Sequence, residues 1–302
     1  MTGGKSRRTG SAPFDRVAII GLGLIGSSLA RALRREKLAR RIVGCDASPG
    51  VRAVAKKLHL ADTLVSDAGA AVVGADLVVV AVPQSAYAAV GAAMADRLKR
   101  GAIVTDVGSV KQAAIQALAP RLPPETPFVP GHPLAGTENS GPAAGFAELF
   151  AGRWCILTPL SGTPAPAVAK VREMWRRCGM HVETMDAAHH DRVLAITSHV
   201  PHLIAYTIVD TVAALESRMK GEVIKFAASG FRDFTRVAAS DPVMWRDIFL
   251  ANKEAVLEMM GRLYEDIALL QKAIRNDDGK LLHRVFTRSR RIRRSIVQAK
   301  QD

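Results

Sequence analysis

"VAIIGLGLIGSSLARAL", residues 17 to 33, runs from a β-branched apolar stretch through three spaced glycines into an amphipathic helical pattern. Strand, tight turn and helix in that order give a G-x-G-x-x-G pattern its meaning, because only there do the glycines face a phosphate. Gly21 permits the tight turn, Gly23 lets the backbone approach a pyrophosphate, and Gly26 lets the helix sit close to the sheet. Leu24 and Ile25 lie in the opening turn of that helix, whose unpaired N–H groups and dipole attract phosphate.

The stretch sits in a larger β/α alternation. "RVAII" (16–20), "RIVGCD" (41–46), "ADLVVVAV" (75–82) and "GAIVTDV" (101–107) read as strands, separated by amphipathic segments. Continuous apolar strands alternating with helices imply a Rossmann-type, doubly wound parallel sheet. "WCILTPL" (154–160) and "HVETM" (181–185) flank a further helix and are expected to extend that sheet. Beyond about residue 185 strand patterns stop, and "DAAHHDRVLAITSHVPHLIAYTIVDTVAALES" and "DPVMWRDIFLANKEAVLEMMGRLYEDIALLQKAIRNDDG" read as long helices. Asp241 is placed as an N-cap, with Pro242 at the first helical position and Gly279 past the end. The expected organisation is a basic, disordered lead-in (1–13), a dinucleotide-binding domain (14–185) and an all-helical substrate and dimerisation domain (186–302).

The carboxyl end of the sheet is where ligands gather in such folds. Asp46 ends the second strand, 20 residues beyond Gly26. A carboxylate there accepts hydrogen bonds from a ribose 2′-hydroxyl and repels a 2′-phosphate, so NAD is expected over NADP. Arg52 works against that preference. "AVPQS" (81–85), with Pro83, follows the ADLVVVAV strand at the same edge.

Composition narrows the class. Hydrophobic content of 48% and charged content of 23% are ordinary for a soluble globular protein. The longest apolar run, "ADLVVVAVP", falls short of the roughly 20 residues that span a bilayer, so no membrane is expected. Cys45, Cys155 and Cys178 form no C-x-x-C pair, which argues against disulfides and zinc and for a reducing cytoplasm. No metal is expected, since the histidines of "HHDRVLAITSH" diverge on a helix. The formal charge of +14 is concentrated in "HRVFTRSRRIRRSIVQAK" (283–300). There Leu282, Val285, Ser289, Ile292 and Ile296 recur at helical spacing, so the segment is an amphipathic helix with a solvated basic face. Stacking aromatics are almost absent, Phe286 excepted, and nucleic acid is not the expected partner.

"TDVGSVK" (105–111) follows the last strand of the alternation, and "GHPLAGTENSG" (131–141) follows one more short apolar piece. Ser109 and His132 can therefore converge on one crevice. Removing hydride from a carbinol carbon requires a base for the hydroxyl proton, and histidine titrates in the useful range. Spacing alone leaves open whether His132 is that base or only structures a loop.

"DVGSVK", "GHPLAGTENSG", "SHVPHLIAY" and "GFRDFTRVAASDPVMW", in that order, resemble the prephenate/arogenate (cyclohexadienyl) dehydrogenase family of tyrosine biosynthesis, over about residues 16 to 275. The resemblance implies NAD-dependent oxidative decarboxylation of prephenate to 4-hydroxyphenylpyruvate, of arogenate to tyrosine, or of both, by a homodimer formed through the helical domain. It implies catalytic roles for His132 and Ser109 and substrate-binding roles for Glu138, Ser198, His202 and Arg236. Ser198 and His202, four residues apart, share one helix face, and Pro201 between them should kink the helix. Arg236 offers a planar fork suited to a carboxylate. Ser229 departs from the glycine that relatives often carry before the "F-x-D-F-T-R" block. The alternative is another Rossmann-plus-helical dehydrogenase acting on a β-hydroxy acid, which would rely on a lysine base.

Overall fold

In the computed structural model, which describes residues 12–215 and 217–298, the chain divides into two compact units after Met185. Residues 1–11 of the expected disordered lead-in lie outside the described residues.

The first unit begins β1 (Phe14–Ile20), α1 (Leu24–Arg35), β2 (Ala39–Cys45), α2 (Pro49–Lys57), β3 (Thr63–Val65), α3 (Ala68–Val72), β4 (Leu77–Val80), α4 (Tyr87–Met94), β5 (Ile103–Asp106), α5 (Lys111–Leu118) and β6 (Phe128–Val129). These strands form one parallel sheet in the order β3-β2-β1-β4-β5-β6. That is the dinucleotide-binding order, with the crossing point between β1 and β4. β4, LVVV, is buried at every position because helices cover both of its faces. On one face Ile19, Leu29, Leu33 and Trp175 pack together; on the other Ala18, Val78, Tyr87 and Leu118 do so.

β7 (Gly131–Pro133), β8 (Trp154–Leu157), α6 (Ala165–Arg177) and β9 (His181–Thr184) complete the unit. The expected extension of the main sheet does not occur. Instead β7, β8 and β9 form a separate three-stranded sheet, β7–β8 antiparallel and β8–β9 parallel. β6 is only two residues long, and Pro130 separates it from β7, so the chain leaves the main sheet at that proline. Proline cannot supply a ladder N–H.

Among the described residues the second unit's regular elements are all helices: α7 (Ala187–Leu194), α8 (Val200–Ala213), α9 (Ser217–Phe226), α10 (Ser229–Thr235), α11 (Pro242–Ala251), α12 (Lys253–Arg275) and α13 (Gly279–Gln298). The Asp241 carboxylate accepts from the N–H groups of Val243 and Met244, and Pro242 takes the first helical position. The long helix expected from residue 241 is broken at Asn252, whose side chain turns into the interior. Gly279 opens α13, the basic amphipathic helix. Ala187–Ala213 is long and apolar enough to cross a membrane by length and composition. Within it His190, Asp191 and His199 are buried polar side chains.

Between α7 and α8, residues Ala195–His199 form a π turn, in which the Val200 N–H donates to the Ala195 carbonyl five residues back. Pro201 follows at once. It has no N–H to continue the ladder, and widening the turn is how the helix accommodates it, in place of a simple kink.

Candidate active site

The dinucleotide half of the site is set by what a side chain would strike. Gly21 has φ +98°, and a Cβ there would collide with the Ala81 carbonyl at the end of β4. A Cβ on Gly26 would run into the Gly21 carbonyl, so the helix can lie this close to the turn only with glycine. A Cβ on Gly23 would meet nothing within 4 Å. Space for a phosphate is therefore kept open at Gly23, while Gly21 and Gly26 shape the turn around it. Leu24 and Ile25 pack against the core from the first turn of α1.

Asp46 follows β2 directly, with Oδ2 accepting from the Leu22 N–H at 3.0 Å and Oδ1 from the Ser48 N–H at 2.9 Å. Its carboxylate is thereby fixed beside the glycine turn. The Arg52 guanidinium bends back to the carbonyls of Asp46 and Ala47 at 2.7 and 2.8 Å. Arg52 is thus engaged with backbone at the cofactor end. Pro83 is exposed and introduces the short turn after β4, where Gln84 Nε2 donates to the Val110 carbonyl at 2.6 Å. These features fit NAD.

At the carboxyl end of β5, Asp106 Oδ2 accepts from the Gly108 N–H at 2.8 Å and Oδ1 from the Gly131 N–H at 3.1 Å. Ser109 is the next residue after Gly108, and His132 the next after Gly131. One buried carboxylate therefore ties together the two backbone segments that carry them. Ser109 is half-buried, whereas His132 is 8% exposed on β7, opposite Ile156 of β8. Glu138 lies six residues on, in an exposed loop. That loop ends against α1: the Phe146 N–H donates to Ser28 Oγ at 3.1 Å, and a Cβ on Gly145 would collide with Ser27.

In the helical unit Ser198 sits in the π turn and His202 one turn on. His202 Nδ1 lies 2.9 Å from the Ser198 carbonyl. A carbonyl only accepts, so Nδ1 carries the hydrogen and Nε2 of the neutral ring is an acceptor. Burial, with help from the Arg236 charge, holds the His202 pKa below the usual histidine range against the opposing bond to Ser198. Arg236, exposed at the start of a short turn after α10, is therefore electrostatically in touch with His202. The His202 ring stacks on Trp245 of α11.

Sequence reading passed over Trp245, Asp106, Lys111 and Asn252. All four stand within recognisable motifs or helical stretches, but a local pattern assigns tryptophan to the core and lysine to the surface by default.

Comparison with known proteins then settles the family. The model of the prephenate dehydrogenase nucleotide-binding domain matches residues 29–184, and that of the prephenate dehydrogenase dimerization domain matches residues 186–288. The chain belongs to the prephenate dehydrogenase family. A cyclohexadienyl dehydrogenase of Zymomonas mobilis is 44% identical over 283 residues, covering 94% of this chain and 96% of that protein. The structure of prephenate dehydrogenase from A. aeolicus in complex with hydroxyphenyl propionate and NAD+ superposes with a TM-score of 0.85 at 33% identity, covering 94% of this chain and 98% of that one. An arogenate dehydrogenase from Synechocystis superposes with a TM-score of 0.78 at 26% identity, covering 93% and 99%. Family membership sets aside the β-hydroxy acid reading.

Proposed function

We propose that the protein is an NAD-dependent cyclohexadienyl dehydrogenase that oxidatively decarboxylates prephenate to 4-hydroxyphenylpyruvate, arogenate to tyrosine, or both. The observation that carries the reading is the convergence of the Ser109 and His132 segments on Asp106, at the end of the sheet where dinucleotides are bound.

NAD is held by the Gly21–Gly26 turn and Asp46, and when bound it supplies the hydride acceptor. His132 takes the proton of the substrate's C4 hydroxyl as the C4–H bond breaks. Ser109 orients that hydroxyl and the imidazole. The C1 carboxylate leaves as CO2, its bonding electrons aromatise the ring, and the proton held by His132 returns to the phenolate oxygen. Aromatisation drives the reaction, so the chain's main tasks are positioning and the handling of one proton. Arg236 holds a substrate carboxylate in its guanidinium fork, and Ser198, His202 and Glu138 line the substrate's polar groups.

The protein acts as a homodimer in this reading. Leu257, Tyr264, Ile267 and Ile274 fall along one side of α12, and each is more than half exposed. An apolar stripe of that length is what a second copy covers. The cytoplasm suits its cysteines, which are free and buried, with burial pushing Cys45 up to about 11 and Cys178 up to about 12.

The test is NADH formation by the purified protein, with prephenate and arogenate offered separately. Turnover of either supports the reading, and the ratio of kcat/KM values names the preferred substrate. No turnover of either by protein that binds NAD contradicts it.

A further inference from the structure

Asp106 does more than accept two backbone N–H groups. Its Oδ2 also receives the Tyr87 hydroxyl at 3.0 Å and Lys111 Nζ at 2.5 Å, and Lys111 reaches on to the Gly131 carbonyl at 2.6 Å. Asp106, Lys111 and Tyr87 are all 0% exposed. Burial and the neighbouring Asp106 charge push the Tyr87 hydroxyl well above its usual range, so it stays a neutral donor.

A buried ion pair is a poor source of stability, because the desolvation of two charges offsets most of their attraction. Its geometry here points to another use. The Gly131 residue is gripped at both its N–H and its carbonyl, immediately before His132. The Gly108 N–H is gripped immediately before Ser109, and the space there is so tight that a Cβ would sit 2.7 Å from the Tyr87 hydroxyl and 2.9 Å from Asp106 Oδ2. β5 and β7 belong to different sheets, and the β5–β6 ladder ends at the Thr105–Val129 pair, short of both Gly108 and Gly131. The Asp106–Lys111 pair crosses that gap.

We infer that Asp106 and Lys111 are positioning residues that fix Ser109 relative to His132, with Lys111 balancing the carboxylate and clamping the Gly131 carbonyl. The inference rests on the proposed catalytic roles of Ser109 and His132. It gives the buried charges a use: the carboxylate has acceptor sites for all four donors, and the Lys111 ammonium has donors enough to join it to the Gly131 carbonyl while balancing its charge.

The test compares Lys111→Met with the parent and with His132→Asn, using kcat per NAD-binding site, substrate KM and NAD affinity. Lys111→Met is expected to lower kcat about 100-fold while KM and NAD affinity stay near the parent's, the signature of misplaced reacting groups in an intact site. Should Lys111→Met fail to fold, the double variant Asp106→Asn/Lys111→Met, which buries no charge, is read in the same way. A folded variant whose kcat stays within about threefold of the parent overturns the positioning role. If His132→Asn also keeps its turnover, the underlying reading of the site fails. If His132→Asn is dead while the lysine variant is active, only the positioning role fails.

Discussion

The His202 imidazole lies on the Trp245 indole with ring centroids 3.6 Å apart and planes inclined by 22°. The indole is itself buried and also touches His199 and Phe249, so it is a fixed platform. With Nδ1 held by the Ser198 carbonyl, the ring is constrained in both plane and rotation, and its Nε2 acceptor has one direction. A stacked aromatic pair contributes about 0.5–1.5 kcal/mol beyond buried area, equivalent to as much as about tenfold in binding. Trp245→Leu should therefore raise the substrate KM by up to about tenfold, whereas Trp245→Phe, which keeps a platform, should raise it less. Steady-state kinetics of the two variants decide it; equal KM values would remove the stack from the account.

Gly23 and Gly26 should separate cofactor binding from folding. Gly23→Ala adds a methyl group into open space, at φ −68° where alanine is unstrained, so thermal stability should hold while NAD affinity falls. Gly26→Ala forces its methyl group onto a backbone carbonyl and should lower the melting temperature as well. Differential scanning calorimetry with NAD titration reads both quantities. A Gly23→Ala protein with parental NAD affinity would contradict the assignment of the turn to the pyrophosphate.

Arg236→Ala should raise the substrate KM strongly with a smaller effect on kcat, because it removes carboxylate binding common to ground and transition states. It also removes a positive charge that lowers the pKa of His202, which should then rise. Kinetics together with an NMR titration of the His202 ring check the two effects. A change in kcat alone would contradict the assigned role.

His199 should make the fold sensitive to mild acid. Asn252 Nδ2 donates to the Asp191 carbonyl at 2.8 Å and lies 3.1 Å from His199 Nδ1, so His199 accepts there in its neutral form. Burial holds its pKa down at about 4, against 6.5 for an unhindered ring. A depressed folded-state pKa means stability that is complete above pH 6.5 and is lost as pH falls towards 4. The loss amounts to about 3 kcal/mol over that window. Urea denaturation at several pH values, for the parent and His199→Asn, should show this component only in the parent. Identical pH profiles would contradict it.

The parts legible in the sequence are those governed by local rules. The glycine turn, Asp46 and the Asp241–Pro242 helix start each follow from spacing and backbone sterics within a few residues. The small mixed sheet was hidden because a short apolar run has the same appearance in any sheet. The π turn needs knowledge of how the ladder rearranges before Pro201. The break at Asn252 comes from a polar side chain finding His199 and the Asp191 carbonyl far along the chain. Asp106 and Lys111 lie in "TDVGSVK", yet their use depends on Gly131 arriving from 20 or more residues away. Long-range pairing of this kind leaves no local signature.

The most direct test of the account is turnover by His132→Asn at saturating NAD. Asparagine keeps a polar side chain of similar reach but cannot serve as a base near neutral pH. The account predicts that kcat falls by about 10²–10⁴ while NAD affinity is unchanged, the usual contribution of a general base. A variant that keeps most of its turnover would show that the C4 hydroxyl proton leaves by another route, and the proposed site would have to be rebuilt around a different residue.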